Sequence, residues 1–145
     1  MKVTNKVYRV WKVLFTIPNK WVDVMEVAYE ANLTTRQVSM IINGMPSPPV
    51  EKERDAEGHM QVILRGSESD LKELQRYIRM ECLGISEEDV YTISEYIPTD
   101  WIPLTDLCDL TGKERLELTR IISVMRNVEC NNEGKITEYR RICEV

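Results

Sequence analysis

WVDVMEVAYEANLTTRQVSMIINGM, residues 21–45, occurs a second time in this chain as WIPLTDLCDLTGKERLELTRIISVM, residues 101–125. The two stretches align without a gap, and most positions between the identities keep their apolar or polar character. The identical pairs are Trp21 and Trp101, Ile41 and Ile121, Ile42 and Ile122, and Met45 and Met125. Self-similarity at a fixed offset indicates a protein in which one small module is built twice.

Length and hydropathy bound the class of protein. The chain has 145 residues, which is enough for one compact domain or two very small ones. No apolar run approaches the roughly 20 residues that a membrane-spanning helix needs. The N-terminal residues Met1 to Thr4 lack the apolar core of a signal peptide. We therefore expect a cytoplasmic protein that does not bind membranes.

Charge is distributed unevenly between the halves. The net charge is −5, but residues 1–80 contain 12 basic and 10 acidic side chains, whereas residues 81–145 contain 7 basic and 14 acidic ones. The N-terminal segment 1–22 contains five basic side chains and no acidic one. Such asymmetry indicates either different partners for the two halves or ordinary solvated surface, and composition alone leaves both readings open.

The residue types that usually carry catalysis or bind metals are scarce. The four cysteines, at positions 82, 108, 130 and 143, form no C-x-x-C pair, and His59 is the only histidine. This spacing argues against a zinc site and against a disulfide framework. There is no glycine-rich phosphate loop, and the acidic run at residues 87–89 suits the start of a helix, where the helix dipole favours it. We expect no enzyme activity, no metal and no cofactor.

Apolar periodicity predicts helices and one hairpin in the first half. A stripe at helical spacing predicts a helix over residues 6–17, which Pro18 ends. A second helix is expected over residues 23–31, capped by Asp23, and a third over residues 34–44, capped by Thr34. A polar strand at 50–54 and an apolar return strand at 60–64, joined by a turn with Gly58, predict a hairpin. A further helix, with Leu71, Leu74, Tyr77 and Ile78 inward, follows to about Cys82.

The second half repeats this order. Helices are expected over residues 87–96, capped by Ser86, then over 104–110 and 113–125, and a hairpin over 128–142. The predicted organisation is a first domain at 1–66, a linking helix at 67–85 and a second domain at 86–145. The predicted class is mainly α with small β-hairpins, an α+β fold of two repeated domains. Since Trp21 and Trp101 share one repeat position, we expect both to pack in a core.

The order helix, extended entry, helix, turn, helix, hairpin resembles that of winged-helix proteins. Ala28, Asn32, Val38 and Ile41 have the spacing of a helix-turn-helix, and so do Cys108, Gly112, Leu118 and Ile121. The first position must be small where two helices touch, the second must accept a positive φ, and the last two face the core. The resemblance is to tandem winged-helix proteins, covers most of the chain and matches no particular subfamily.

The resemblance implies binding of double-stranded DNA, with the third helix of the first copy in the major groove. The side chains expected to contact bases are Thr35, Arg36, Gln37, Ser39 and Asn43, whose types pair with base edges. The side chains expected to contact phosphates are Lys6, Arg9, Lys12, Lys52 and Arg54. The function expected from this set is that of a DNA-binding regulator of transcription or replication.

The second copy is less suited to DNA. Its third helix carries Glu114 and Glu117, which would meet phosphates unfavourably, within a half whose charge is −7. We expect residues 86–145 to bind a protein or a second copy of the chain. The alternative for the whole chain is therefore an adaptor or scaffold subunit built from tandem winged helices. The overall acidity favours this alternative, whereas the basic N-terminal third favours DNA.

Overall fold

The structure is a computed structural model that describes residues 2–142. Within this range it contains seven helices and two three-stranded antiparallel sheets, with about 49% of the structure helical. This confirms a mixed helix and strand class. Contacts divide the described chain into two compact units with the boundary between Cys82 and Leu83. No helix among residues 2–142 is both long enough and apolar enough to span a membrane.

The first unit has three helices, a hairpin and a further helix. Its elements are α1 (Asn5–Thr16), β1 (Val22–Asp23), α2 (Val24–Ala31), α3 (Thr35–Asn43), β2 (Val50–Arg54), β3 (Met60–Leu64) and α4 (Glu68–Leu83). The sheet order is β1-β3-β2, so the short strand before α2 pairs with the return strand of the hairpin. This pairing brings the start of α2 beside the hairpin.

The core of this unit forms where the apolar stripes of α1, α2 and α3 meet the sheet. Trp11, Val27, Val38 and Val62 are fully buried, and the Trp11 ring stacks on Phe15 with 5.7 Å between ring centroids. Burial of such side chains is the main favourable term in folding. The helical periodicity that predicted inward positions on these three helices is confirmed.

Local chemistry sets the ends of the helices. The Thr34 hydroxyl accepts the backbone N–H of Gln37, and Asp23 Oδ1 accepts that of Met25, so both predicted caps are confirmed. The turn between α2 and α3 places Asn32 at φ 54°, a left-handed conformation that asparagine tolerates better than most residues. The positive φ that the helix-turn-helix spacing requires is therefore present.

Helix α4 differs in two ways from the linking segment expected at residues 67–85. Leu71 and Ile78 are buried in the core of the first unit, and Leu74 packs against that core, so most of the helix belongs to that unit rather than to a separate link. The expected inward position of Tyr77 is wrong, because this side chain is 54% exposed. Its phenol is amphipathic and is tolerated at the edge of the buried stripe.

The second unit contains three helices and a hairpin. Its elements are α5 (Glu87–Ser94), β4 (Ile102–Pro103), α6 (Leu104–Thr111), α7 (Arg115–Ile122), β5 (Val128–Asn131) and β6 (Glu138–Arg141), with sheet order β4-β6-β5. Ile93, Leu107 and Leu118 form part of its core. Gly112 takes φ 72° between α6 and α7, where a glycine was expected to make the turn. Ser86 caps α5 as predicted.

Helix α7 is shorter than the predicted helix over 113–125. It begins after Glu114, which is extended at ψ 155°, and it ends before Ser123. Lys113 is not helical, because the chain is still turning after Gly112.

At the offset of 80 residues, the helices of the two units correspond more closely in position than the hairpins do. Both ends of α2 coincide with both ends of α6 when Trp21 is aligned with Trp101. In the same alignment the first residue of β2 falls on Cys130, but β5 already begins at Val128. The second hairpin therefore starts earlier relative to its third helix than the first hairpin does.

The expected core packing of Trp21 and Trp101 is wrong. Their rings are 36% and 38% exposed, and each lies beneath a guanidinium group, at 5.7 Å for Arg65 and 4.5 Å for Arg140. Each arginine also donates from Nε to a glutamate at 2.7 Å. The two groups are Trp21, Arg65 and Glu51, and Trp101, Arg140 and Glu129. A tryptophan at the sheet edge is therefore covered by an ion-paired arginine instead of by apolar side chains.

Tyr139, in β6, is the buried titratable group of the second sheet. It is 5% exposed, and burial is the largest cause that raises its pKa above the ordinary value of 10.0. The neighbouring Cys130 raises the pKa further, whereas a hydrogen bond with Thr119 lowers it. As the pH rises, Tyr139 therefore loses its phenolic proton at a lower pH in the unfolded chain than in the folded one. The stability that neutral Tyr139 contributes is complete below about pH 10 and is lost as the pH rises through the raised pKa.

We expect the chain to unfold at a lower urea concentration at about pH 11 than at about pH 9, in part through Tyr139. Circular dichroism at both pH values measures this loss. Because lysines also titrate in this range, Tyr139→Phe serves as the control and should lose less stability between the two values. An equal loss in both proteins would contradict the role given to Tyr139.

Candidate functional site

The exposed side of α3 has two adjoining flanks. Val38 and Ile42 face the core, which leaves residues 35, 39 and 43 on one flank and residues 36 and 40 on the other. On the first flank, Thr35 and Ser39 border a hollow of about 240 Å³ that the hairpin closes on its other side. On the second flank, Arg36 is exposed and Met40 is 67% exposed. Arg36 precedes Ser39 by three residues and Asn43 by seven, so these side chains adjoin one another on the helix surface.

The hairpin is attached to the end of α3 by a polar contact. Lys52 Nζ, on β2, donates to Asn43 Oδ1, on the last residue of α3. Arg54, also on β2, lines the hollow beside Thr35 and Ser39, while its Nη1 donates to the Gly58 carbonyl at 2.8 Å. The structure thus brings together five of the ten predicted residues, namely Thr35, Ser39, Asn43, Lys52 and Arg54.

Gln37 has a structural role that the helical pattern did not reveal. Its Oε1 accepts the backbone N–H of Thr34 at 2.9 Å, which completes a capping box at the start of α3. The side chain is half-buried. Its Oε1 is used by this cap, whereas its Nε2 is still a potential donor to a base edge. The contact of Gln37 with a base stays a prediction, and a contact through Oε1 would compete with the cap.

Arg9 also differs from its predicted role. Its Nε and Nη2 donate to the Ala31 carbonyl at 2.9 and 2.8 Å, and Nη2 also donates to the Asn32 carbonyl at 2.7 Å. These are carbonyls at the end of α2, where helix geometry leaves acceptors without partners and favours positive charge. Arg9 therefore joins α1 to α2 through Nε and Nη2, and the predicted phosphate contact would either use Nη1 or compete with these bonds.

The other basic residues of α1 lie apart from the hollow beside α3. Lys6 and Lys12 are exposed, and the Lys12 ammonium lies 5.2 Å from the centre of the Tyr8 ring. Lys12 and Arg9 border a separate hollow of about 460 Å³ between α1 and α2. The glutamates Glu26 and Glu30 line the same hollow, so its charge is mixed rather than basic.

A cluster of ionisable groups at the hairpin turn was not recognised from the sequence. Asp23, Asp55 and His59 each place one ligand-type atom within 4.8 Å of the other two. Pairing of Asp23 with Gln61 across β1 and β3 brings this aspartate to the turn. No short-range pattern joins Asp23 to Asp55, so only the strand register could have revealed the cluster. His59 and Asp23 also line the hollow beside α3.

The third helix of the second unit presents a different surface. Leu116, which aligns with Arg36 in the repeat, is 62% exposed, and Lys113 Nζ pairs with Glu117 at 3.3 Å. Leu116 and Arg120 border a hollow of about 260 Å³ with Ile85. The exposed glutamate at position 114 agrees with the expectation that phosphates would meet unfavourable charge on this helix.

The described cysteines are free thiols. Cys82 and Cys108 are half-buried and Cys130 is exposed. Cys143 lies outside the described residues.

In comparisons with known proteins, no protein-family model and no curated protein matches this chain.

Proposed function

We propose that the chain is a DNA-binding regulator built from two tandem winged-helix domains, in which the first unit binds duplex DNA. Both units have the element order that such domains require, and both turns between the second and third helices have a residue at positive φ. Ala28 and Val38 are buried where the two helices meet in the first unit, and Leu118 is buried in the second. Each third helix is followed by an antiparallel hairpin that would act as the wing.

The observation that carries the proposal is the exposed Arg36 on α3, next to a hairpin fixed to the same helix. An α-helix fits the major groove, and an arginine there forms two hydrogen bonds with guanine O6 and N7. Arg36 follows Thr35 at the start of α3, the part of a recognition helix that usually contacts bases. Thr35, Ser39 and Asn43 would border the groove wall, on the side of the wing.

Phosphate contacts would come from exposed lysines. Lys6, Lys12, Lys20 and Lys52 are exposed, and each neutralised phosphate releases counterions and strengthens binding at low salt. The acidic turn of the hairpin, with Asp55 and Glu57, opposes this attraction. If these four lysines each neutralise one phosphate, log K should fall with log salt concentration with a slope of about −4.

The test is fluorescence anisotropy of the full chain with a random-sequence duplex at two salt concentrations. Arg36→Ala should weaken binding about 5- to 100-fold, the loss expected for one arginine that contacts a base or its phosphate. Lys52→Ala should weaken binding less and reduce the salt slope by about 1. The matched control is Arg120→Ala, an exposed arginine on the third helix of the second unit, which should bind within about twofold of the unaltered chain.

Absence of binding to duplex DNA at low salt would overturn the proposal. So would equal binding by the unaltered chain and Arg36→Ala, because then α3 would not face the DNA. Equal losses from Arg36→Ala and Arg120→Ala would mean that both units contact DNA, contrary to the assignment of DNA binding to the first unit.

A specific observation favours a second candidate function, an adaptor or scaffold that binds a protein through the second unit. Leu110 and Leu116 are 57% and 62% exposed in this unit. Leu116 occupies the position that Arg36 has in the first unit. An exposed leucine at the position that an arginine occupies in the first unit suits contact with a protein better than contact with phosphates. The DNA titration separates the two candidates, since an adaptor that binds only protein would give no salt-dependent anisotropy change.

A further inference from the structure

The groups at the turn between β2 and β3 form a mixed set of nitrogen and oxygen ligands. The set contains one ring nitrogen, from His59, and two carboxylates, from Asp23 and Asp55. These residues come from three places in the chain: the residue before α2, the first residue of the turn, and the residue before β3. The turn itself needs only Asp55 and Gly58, so turn formation does not explain why Asp23 and His59 join the cluster.

Hydrogen bonds fix one oxygen of each carboxylate and aim the other at the cluster. Asp23 Oδ1 accepts the backbone N–H of Met25 at 2.8 Å. Asp55 Oδ1 accepts the backbone N–H groups of Glu57 and His59, both at 2.9 Å. The two Oδ2 atoms are then left facing each other across the amide of Gln61. Backbone contacts of this kind orient metal ligands in known sites.

The cluster and the neighbouring Glu57 bring three carboxylates around one imidazole. Asp55 Oδ2 lies 3.7 Å from His59 Nδ1, and Glu57 Oε2 lies 3.8 Å from the same nitrogen. Gln61 Nε2 is the donor between the two aspartates, at 3.3 Å from Asp23 Oδ2 and 3.4 Å from Asp55 Oδ2. These are long contacts for hydrogen bonds. Arg54, whose side chain lines the same hollow as Asp23 and His59, donates from Nη1 to the Gly58 carbonyl.

We propose that Asp23, Asp55 and His59 bind a divalent transition metal ion, for which Zn²⁺ is the best match. Zn²⁺ accepts imidazole nitrogen and carboxylate oxygen at about 2.0–2.2 Å and commonly uses three protein ligands with water at the fourth position. Imidazole in the set favours such an ion over Mg²⁺ or Ca²⁺, which prefer oxygen ligands alone. Ligand atoms within 4.8 Å of one another reach this geometry through modest side-chain rotation, and the Gln61 amide moves aside.

Bound metal would join the start of α2 to the hairpin turn. The same cluster borders the hollow that contains Thr35 and Ser39, so the ion would also reduce the negative charge beside α3. The metal site rests on the ligand geometry alone, and it stands whether or not the first unit binds DNA. If the proposed DNA contact is correct, a bound ion would also weaken the repulsion between this cluster and the phosphates of DNA.

The test is a titration of the full chain with Zn²⁺, followed by NMR of the imidazole C–H signals. His59 is the only histidine, so these signals need no assignment. Thiols are first alkylated with iodoacetamide, because cysteine also binds zinc. We expect the imidazole signals to shift and saturate at one equivalent of Zn²⁺. Calorimetry of the same sample gives the affinity, and no DNA is present, so the result is independent of the DNA proposal.

The deciding variants are Asp23→Asn and Asp55→Asn. Asparagine also caps helices and stabilises such turns, so both variants keep the local hydrogen bonds and should fold. Each should weaken Zn²⁺ binding by about 10- to 100-fold. The matched control, Asp109→Asn on an exposed residue of α6, should bind as the unaltered chain does. Imidazole signals that do not shift at millimolar Zn²⁺, or aspartate variants that bind as tightly as the control, would overturn the proposal.

Discussion

Trp11→Ala is expected to lower the free energy of unfolding of the first unit by about 3–5 kcal/mol. Trp11 is fully buried at the centre of the core and stacks on Phe15, so alanine would leave a cavity that the surrounding helices cannot fill. A small domain has only about 5–15 kcal/mol of stability. This loss would therefore remove a large share of it and lower the melting temperature of the unit. Hydrogen exchange followed by mass spectrometry, on peptides from residues 2–82, measures the change in this unit.

Trp11→Phe is the control that separates ring volume from indole chemistry. Among the described residues, Trp11 Nε1 is buried without a hydrogen-bond partner, which is unfavourable. Phenylalanine keeps an aromatic ring and removes this polar group, so the two effects oppose each other. We expect a loss of roughly 1 kcal/mol or less. If Trp11→Ala were as mild as Trp11→Phe, the tryptophan ring would not be the centre of this core.

Leu118→Ala is expected to destabilise the second unit by about 2–5 kcal/mol. Leu118 is fully buried on the inner side of α7, so its removal leaves a cavity beneath the proposed third helix. The matched control is Leu116→Ala, the same substitution on the exposed side of the same helix. It should change stability by no more than about 0.5 kcal/mol.

Hydrogen exchange followed by mass spectrometry is the appropriate measurement for this pair. The chain has two compact units, and a single unfolding curve need not report a two-state transition. Peptides from residues 83–142 should lose protection in Leu118→Ala and keep it in Leu116→Ala. A comparable loss in both variants would mean that α7 is oriented differently, and it would also remove the argument that Leu116 is free to contact a partner.

The structural roles of Gln37 and Arg9 change how the proposed DNA contact should be tested. Both side chains are bonded to the ends of helices, so alanine at either position would weaken the fold as well as any DNA contact. A double variant that includes Gln37 would therefore confuse loss of structure with loss of binding. Arg36, which is exposed and follows the cap, tests the DNA proposal without this complication.

Much of the fold was predictable because short-range physics sets it. The helices α2 and α3 and the strands β2 and β3 lie where periodicity placed them, within one residue at their ends. The caps at Asp23 and Thr34 and the left-handed Asn32 depend on neighbouring residues alone. The end of α7 was mispredicted, because apolar residues continue past the point where the helix stops.

The sequence by itself determined the class of elements, their order in both units and the turns between the second and third helices. Only the tertiary structure decided which polar side chains are bonded within the fold and which are free to contact a ligand. Arg9 of α1 reaches the Ala31 carbonyl at the far end of α2, and Asp23 joins His59 through the register of β1 and β3. The physical reason is that a charged side chain pairs with whatever acceptor or donor folding brings within reach. Sequence spacing encodes contacts between neighbouring residues but not these distant ones.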